Sequence, residues 1–300
     1  MKKISILFAI SFFIWGCDFE QVIDLEVPLK SQLVLNGALC PDSSLTIHLS
    51  KTSAAVGRLE SPAFVNNATV TAWEDNKLLG NLTWTGVEGR FALKDFYPQH
   101  GKTYRIKATS ADFPEVEAET TIPEPIKLRA NISKQQSNIT LDFTLDDNPA
   151  KKNIYMVSAY EVIPPVLYSV VGYPPYTIPQ SVMPKYCVMK AIFIPQSQFN
   201  FENSEIGGLY CGNRLTFNDL LMKAEGNAFT LNVFDVDDRN GSSSYVFVGA
   251  ISEEITKYDA TLGSNQNNGA VLGNEPSNVY GNVKGGLGIL ASYNGIRYKL

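Results

Sequence analysis

Histidine is nearly missing from this 300-residue sequence, which holds only His48 and His100. His48 falls on the polar side of an alternating segment and His100 precedes Gly101 in a turn, so both read as solvated surface groups. No Cys-x-x-Cys occurs, which removes zinc-knuckle and thioredoxin-like patterns. The Gly-x-Ser-x-Gly, phosphate-loop and His-Glu-x-x-His signatures are missing as well, and with them the common hydrolase, nucleotide and zinc-protease readings. Basic residues are scarce, 25 Lys and Arg against 30 Asp and Glu, and a nucleic-acid partner needs a basic footprint. Past the first sixteen residues, no apolar run is long enough to cross a bilayer. These absences leave no catalytic residue, metal ligand or cofactor site to nominate.

What is present begins at the N-terminus. Lys2 and Lys3 precede an apolar run from Ile4 to Ile14, broken only by Ser5 and Ser11. As a helix this run spans roughly 16 Å against a hydrocarbon core of about 30 Å, so it reads as an export signal rather than a transmembrane anchor. It ends in Ile14-Trp15-Gly16-Cys17, a small residue directly before a cysteine, which resembles the bacterial lipobox. That resemblance implies diacylglycerol on the Cys17 thiol, cleavage after Gly16 and acylation of the new amine. Several acyl chains hold a protein firmly, since each buried methylene contributes about 0.8 kcal/mol and one chain alone binds only marginally. Residues 1–16 are thus a signal peptide and 17–30 a tether. Losing Lys2 and Lys3 leaves 23 cations against 30 anions, a mature charge of −7.

The body of the chain alternates with period two. Leu45, Ile47 and Leu49 take every other place, as do Tyr104, Ile106 and Ala108, then Val116 and Ala118. Ile139, Leu141, Phe143 and Leu145 repeat the pattern, followed by Phe229, Leu231 and Val233. Strand side chains point to opposite faces in turn, so these segments are half-buried antiparallel strands. Short strands between Gly, Asn, Asp and Pro turns predict a mainly β chain built from two tandem β-sandwich domains, immunoglobulin-like or transthyretin-like. Ile122-Pro123-Glu124-Pro125 marks the division, because neither proline can donate to a ladder. The first sandwich covers residues 31–123 and the second 126–300.

Residues 163–186 interrupt the strand rhythm with Pro164, Pro165, Pro174, Pro175, Pro179 and Pro184 set among tyrosines. Such density precludes a regular central strand and predicts an ordered loop or edge excursion. Its Tyr168, Tyr173, Tyr176 and Tyr186 are the candidate partner-binding residues. With Cys17 committed to lipid, Cys40, Cys187 and Cys211 remain, in a compartment where disulfides form. Cys187 and Cys211 are the preferred pair and leave Cys40 free or buried, although three pairings stay open. Ser252 can cap one short helix with Glu253 and Glu254 in its first turn and Ile255, Tyr258 and Leu262 on one face; Gly263 and the Asn-rich residues after it end it. Asp235 to Gly241 resembles a calcium loop, but Arg239 and Val246 stand where oxygen ligands are required. Asn240-Gly241 suits a positive-φ turn instead, with a looser calcium loop left open. Trp73, Trp84 and the tyrosines are candidate stacking platforms for sugar, with core burial as the alternative. Gly285-Gly286-Leu287-Gly288 predicts a bulge or tight strand crossing, with a docking edge for a receptor as the alternative.

Three stretches carry a wider resemblance: Cys17-Asp18-Phe19-Glu20-Gln21-Val22-Ile23-Asp24-Leu25, Leu33-Val34-Leu35-Asn36-Gly37, and Val283-Lys284-Gly285-Gly286-Leu287-Gly288-Ile289. They are similar to a family of Bacteroidetes outer-membrane lipoproteins whose conserved domain is of unknown function. Such proteins are often encoded beside TonB-dependent receptors. The resemblance implies a non-enzymatic accessory role in nutrient or metal-chelate uptake, a membrane contact through the lipid, and an outer-membrane β-barrel receptor as partner. It supplies no catalytic residue. Asp18 and Glu20 resemble signals that send such lipoproteins to the cell surface, with surface and periplasmic faces both open. The alternatives are a surface adhesin or structural lipoprotein, and a glycan-active enzyme with an unrecognised carboxylate pair.

Overall fold

A computed structural model of the chain describes residues 31–52, 63–135, 138–146, 151–168, 176–178, 180–184, 187–191, 200–201, 205–206, 209–212, 214–218, 227–233, 241–268 and 278–300. These belong to a compact unit spanning Ser31–Leu300. As the alternation predicts, it is mainly β.

Eight strands come first: β1 (Leu33–Leu39), β2 (Thr46–Lys51), β3 (Ala63–Phe64), β4 (Thr69–Glu74), β5 (Lys77–Trp84), β6 (Arg90–Ala92), β7 (Thr103–Ser110) and β8 (Phe113–Thr121). They pair in the order β1-β2-β6-β5-β4-β7-β8, with β3 attached to β2. Leu35 of β1, Ile47 of β2, Phe91 of β6, Val70 of β4, Ile106 of β7 and Val116 of β8 share one buried cluster. These strands are therefore consecutive members of one continuous sheet that folds over a shared core. Asp75 and Asn76, at φ 45° and 71°, form the tight turn from β4 to β5, which requires positive φ at both positions. On the wet face, Arg105 pairs with Glu117 at 3.7 Å and Lys107 with Glu115 at 2.8 Å.

The later strands begin with β9 (Lys127–Gln135), β10 (Asn138–Asp146) and β11 (Ile154–Ile163). Eight short ones follow: β12 (Val166–Tyr168), β13 (Tyr176–Ile178), β14 (Ser181–Pro184), β15 (Cys187–Ala191), β16 (Asn200–Phe201), β17 (Glu205–Ile206), β18 (Leu209–Gly212) and β19 (Arg214–Asn218). Then come β20 (Asn227–Val233), β21 (Ser243–Ile251), helix α1 (Glu253–Asn268) and β22 (Leu287–Lys299). A six-stranded sheet, β17-β18-β15-β20-β10-β9, lies across a second core from β19, β11 and β21. Ile139, Leu141, Phe143 and Leu145 of β10 meet Tyr155, Val157 and Ala159 of β11 there, two sheets packed face to face.

The described parts of the Pro/Tyr-rich stretch, 163–168, 176–178 and 180–184, carry short strands. β12 and β13 pair only with each other, and β14 lies along β11 from Tyr160↔Pro184 to Ile163↔Ser181. Prolines confine these ladders to three or four residues each.

β22 serves both cores. Its first half runs parallel to β1, from Val34↔Leu287 to Leu39↔Ser292, and its second half antiparallel to β21, from Ile251↔Tyr293 to Tyr245↔Lys299. Leu290 is buried in the first core, while Tyr298 packs on the second. The tight crossing predicted at Gly285-Gly286-Leu287-Gly288 is where this strand meets the first sheet. Gly288 has φ +112°, and a Cβ there would stand 2.1 Å from the Leu35 carbonyl oxygen. Just upstream, Lys284 and Glu117 exchange backbone hydrogen bonds of 2.7 and 3.0 Å, bringing β8 beside the same seam. A buried polar chain locks it: Thr120 Oγ1 donates to Ser292 Oγ (3.0 Å), which donates to the Thr121 carbonyl (2.6 Å).

The helix differs from expectation at both ends. Ser252 precedes it and its carbonyl accepts from Ile255 N–H at 3.2 Å, but its hydroxyl accepts from Ser292 N–H at 3.1 Å instead of capping the first turn. The cap side chain is spent on fastening α1 to β22. The helix also runs through Gly263 to Asn268. A helical glycine costs about 1 kcal/mol relative to alanine, and an already nucleated helix absorbs one such penalty because extension needs no new nucleus.

Candidate functional site

The link between the two cores follows from Ile122-Pro123-Glu124-Pro125-Ile126. Ile122 is fully buried in the first core and Ile126 packs on the second, so both ends of the link are held. Between them the prolines keep the backbone extended, and Asn294 Nδ2 donates to the Pro123 carbonyl at 2.9 Å. Glu124 is left projecting from the link. Its Oε2 lies 3.0 Å from His100 Nδ1 and its Oε1 3.9 Å from Lys151 Nζ. The turn at Gly101 permits this approach: its φ is +72°, and a Cβ there would stand 2.9 Å from Glu124 Oε1.

Glu124, Pro125, Ile126 and Lys127 form one side of a cleft of about 330 Å³. Asp146, Lys151, Asn153 and Tyr155 complete it. Tyr155 is 2% exposed and Ile126 is half-buried, so an apolar and aromatic floor lies under a rim carrying two carboxylates and two ammonium groups. Such a site orients a small polar ligand by charges of both signs while the floor covers its apolar face.

Other residues singled out in the sequence lie elsewhere. His48 lies on the polar side of β2 as predicted, and partial burial of its ring, followed by the nearby Arg90 charge, lowers its pKa. Trp73 carries the Arg105 guanidinium 4.5 Å above its ring, so that face is taken. Trp84 is half-exposed at the β5–β6 turn, with Nε1 donating to the Val87 carbonyl at 2.8 Å. The two platforms are held by separate local contacts. Tyr168 and Tyr176 stand opposite each other across β12 and β13. Tyr173, Tyr186 and Cys17 lie outside the described residues, as do residues 235–240 of the calcium-like stretch, while Gly241 has the positive φ (+74°) that the turn reading needs. β15 and β18 are neighbours with Cys187↔Gly212 and Val188↔Cys211 in register, one step from facing each other directly. Cys40 is a buried free thiol, 3.2 Å from Ser43 Oγ. Among the described residues no group of three or more His, Cys, Asp or Glu converges to hold a metal ion.

The cleft was not nominated from sequence. Its signal was the acidic residue between two prolines, which read as punctuation.

A family model described as a domain of unknown function, DUF4249, matches residues 20–298. The chain belongs to this family. No curated protein matches the DUF4249 chain. Among solved structures, it is similar to a candidate carbohydrate-binding protein from Bacteroides uniformis ATCC 8492 at 12% identity and TM-score 0.25, covering 90% of this chain and 99% of that one. An alpha-2-macroglobulin from Salmonella matches at 11% identity and TM-score 0.23, over 75% of this chain and 14% of that one. A candidate membrane-anchored protein from Corynebacterium diphtheriae matches at 8% identity and TM-score 0.20, over 74% and 54% of the respective chains. At such scores neither fold nor function transfers.

Proposed function

We propose that this DUF4249 chain is a lipid-anchored binding module, fixed to the outer membrane through Cys17, that assists a TonB-dependent transporter in taking up a nutrient or metal chelate without chemistry of its own. The observation that carries the reading is the cleft at the link: its rim offers charges of both signs over the Tyr155 floor, an arrangement suited to holding a small polar ligand. The lipobox-like Gly16-Cys17 supports the anchor. The β12–β13 hairpin with Tyr168 and Tyr176, together with Tyr173 and Tyr186, is the proposed receptor-facing surface.

Co-purification from native membranes tests the reading. A tagged chain is expected to bring down a β-barrel receptor, and deletion of Pro164 to Pro184 is expected to abolish that capture. The deletion is expected to leave the cores folded, since β14 lies off the main strand path and, among the described residues, β12 and β13 pair only with each other. Repeated capture of no β-barrel from intact outer membranes sinks the transporter reading, and retention on host or matrix polymers would point to an adhesin instead.

A further inference from the structure

Among the described residues the six-stranded sheet ends at β9, which is paired on one side only, over nine positions from Lys127↔Asp146 to Asn138↔Gln135. No described residue bonds to the backbone N–H and C=O groups along its other edge. Residues directly opposite in an antiparallel ladder share a face. Leu128, Ala130, Ile132 and Lys134 therefore lie on the face of Leu145, Phe143, Leu141 and Ile139, the β10 residues that fill the second core. Leu128 reaches that core, but Ala130 is exposed and Ile132 is 41% exposed, although its partner Leu141 is completely buried. The apolar face of the sheet extends past its cover.

Charge on β9 is of one sign. Lys127 and Arg129 lie on the outer face and Lys134 at the far end of the inner one, with no Asp or Glu on the strand, in a chain whose net charge is −5. None of the three forms an ion pair among the described residues.

We propose that β9 seats an extended strand of a partner protein in which acidic residues alternate with apolar ones. The incoming backbone takes up the free ladder, as in other β-strand additions, and alternate side chains supply the specificity. Acidic side chains on one face meet Lys127 and Arg129. Apolar side chains on the other cover Ala130 and Ile132, and a terminal acid reaches Lys134. Charges on an edge also deter unwanted pairing, but deterrence requires neither a single sign nor an uncovered isoleucine. The proposal is independent of the transporter and shares only Lys127 with the cleft; Arg129, Lys134 and the outer edge of β9 offer the same chemistry whatever the cleft holds.

The test is fluorescence anisotropy with the full mature chain and a short labelled peptide alternating Glu with Val, alongside its Lys/Val counterpart. The acidic peptide is expected to bind, and to bind more weakly as salt rises. The double variant Arg129→Glu, Lys134→Glu, both exposed, is expected to lose about tenfold or more in affinity and to gain binding to the Lys peptide. Ala130→Pro and Asn131→Pro form a second arm. Neighbouring N–H groups of an edge strand point alternately to its partner and to solvent, so one of these variants keeps the β9–β10 ladder and still blocks addition. Failure of the acidic peptide to bind at millimolar concentration overturns the proposal. So does undiminished binding after charge reversal, or undiminished binding by both proline variants in folded protein.

Discussion

Replacing Gly288 by alanine probes the seam where the last strand joins the first. Two costs arise at this position. Its φ of +112° belongs to a region that residues with a Cβ rarely occupy, and such strain costs on the order of 1–3 kcal/mol. The new Cβ would also stand 2.1 Å from the Leu35 carbonyl oxygen and 2.9 Å from Asn36 Oδ1. Leu35 is backbone partner to Gly288 in the β1–β22 ladder, so relief requires prising that ladder apart, for about 1–3 kcal/mol more by analogy with overpacked cores. The expected loss is about 2–6 kcal/mol, a large share of the roughly 5–15 kcal/mol that holds a typical fold. At about 2 °C per kcal/mol, the low end of the range and the one suited to a unit of this size, calorimetry should register a fall in Tm of about 4–12 °C. Gly86→Ala is the control, because Gly86 also has positive φ (+84°) but nothing within 4 Å of the added Cβ. Amide exchange should then rise along Leu35–Leu39 and Ile289–Ser292 before it rises in β9 and β10. Equal Tm losses in the two variants would show that Gly288 answers only to backbone conformation and that the close crossing is not what fixes β22.

Three further outcomes are expected. Ser292→Ala leaves the Thr121 carbonyl and Thr120 hydroxyl without their buried partner and should cost about 1–3 kcal/mol; Thr120→Val should then cost less in that background than alone, which a double-mutant cycle in urea reads directly. Alkaline pH should unfold the chain through its tyrosines. Burial first, then the Cys40 thiol, pushes the Tyr293 pKa up from 10.0 to about 12, and burial likewise raises Tyr104. A folded pKa above the unfolded one gives a contribution that is whole below about pH 10 and is lost as pH climbs through 12. Phenolate absorbance in the folded chain should therefore lag behind that of a urea-unfolded sample; full titration near pH 10 with the circular dichroism intact would contradict it. At the acid end, Lys102 and the Thr103 N–H hold the Asp75 pKa below its usual 3.8, so its contribution is present above that value and fades as pH falls further. Asp75→Asn should flatten the dependence of stability on pH below about 4, and an unchanged acid limb would remove the pair from the account.

Period-two alternation was legible wherever a strand keeps one dry and one wet face. Tyr104, Ile106 and Ala108, or Ile139 through Leu145, announce their burial because each neighbour must face water. The pairing of β1 with β22 was not legible, since Val34 and Leu287 are linked by register across almost the whole chain and no local pattern encodes so distant a partner. Only the glycines at 285, 286 and 288 hinted at it, through the close approach they permit. The helix was found but ended too early, because Gly263 was read as a stop where an established helix continues. The cleft escaped notice for a different reason. Its residues come from the Pro123–Pro125 link and from the neighbourhood of Asp146 to Tyr155, joined by packing rather than by spacing, so no motif connects them. β9 hid its edge position because nothing in Lys127 to Gln135 states how many neighbours a strand will have.

The claim on which location and partner both depend is that the mature chain begins at Cys17 and carries fatty acids there. Intact-mass spectrometry of the protein extracted from its own membranes, followed by sequencing of the N-terminal peptide, measures this most directly. The account predicts a chain of residues 17–300 heavier than its sequence by a diacylglycerol and an amide-linked acyl group, and a Cys17→Ala variant lacking both. A mature N-terminus elsewhere, or an unmodified Cys17, would contradict it.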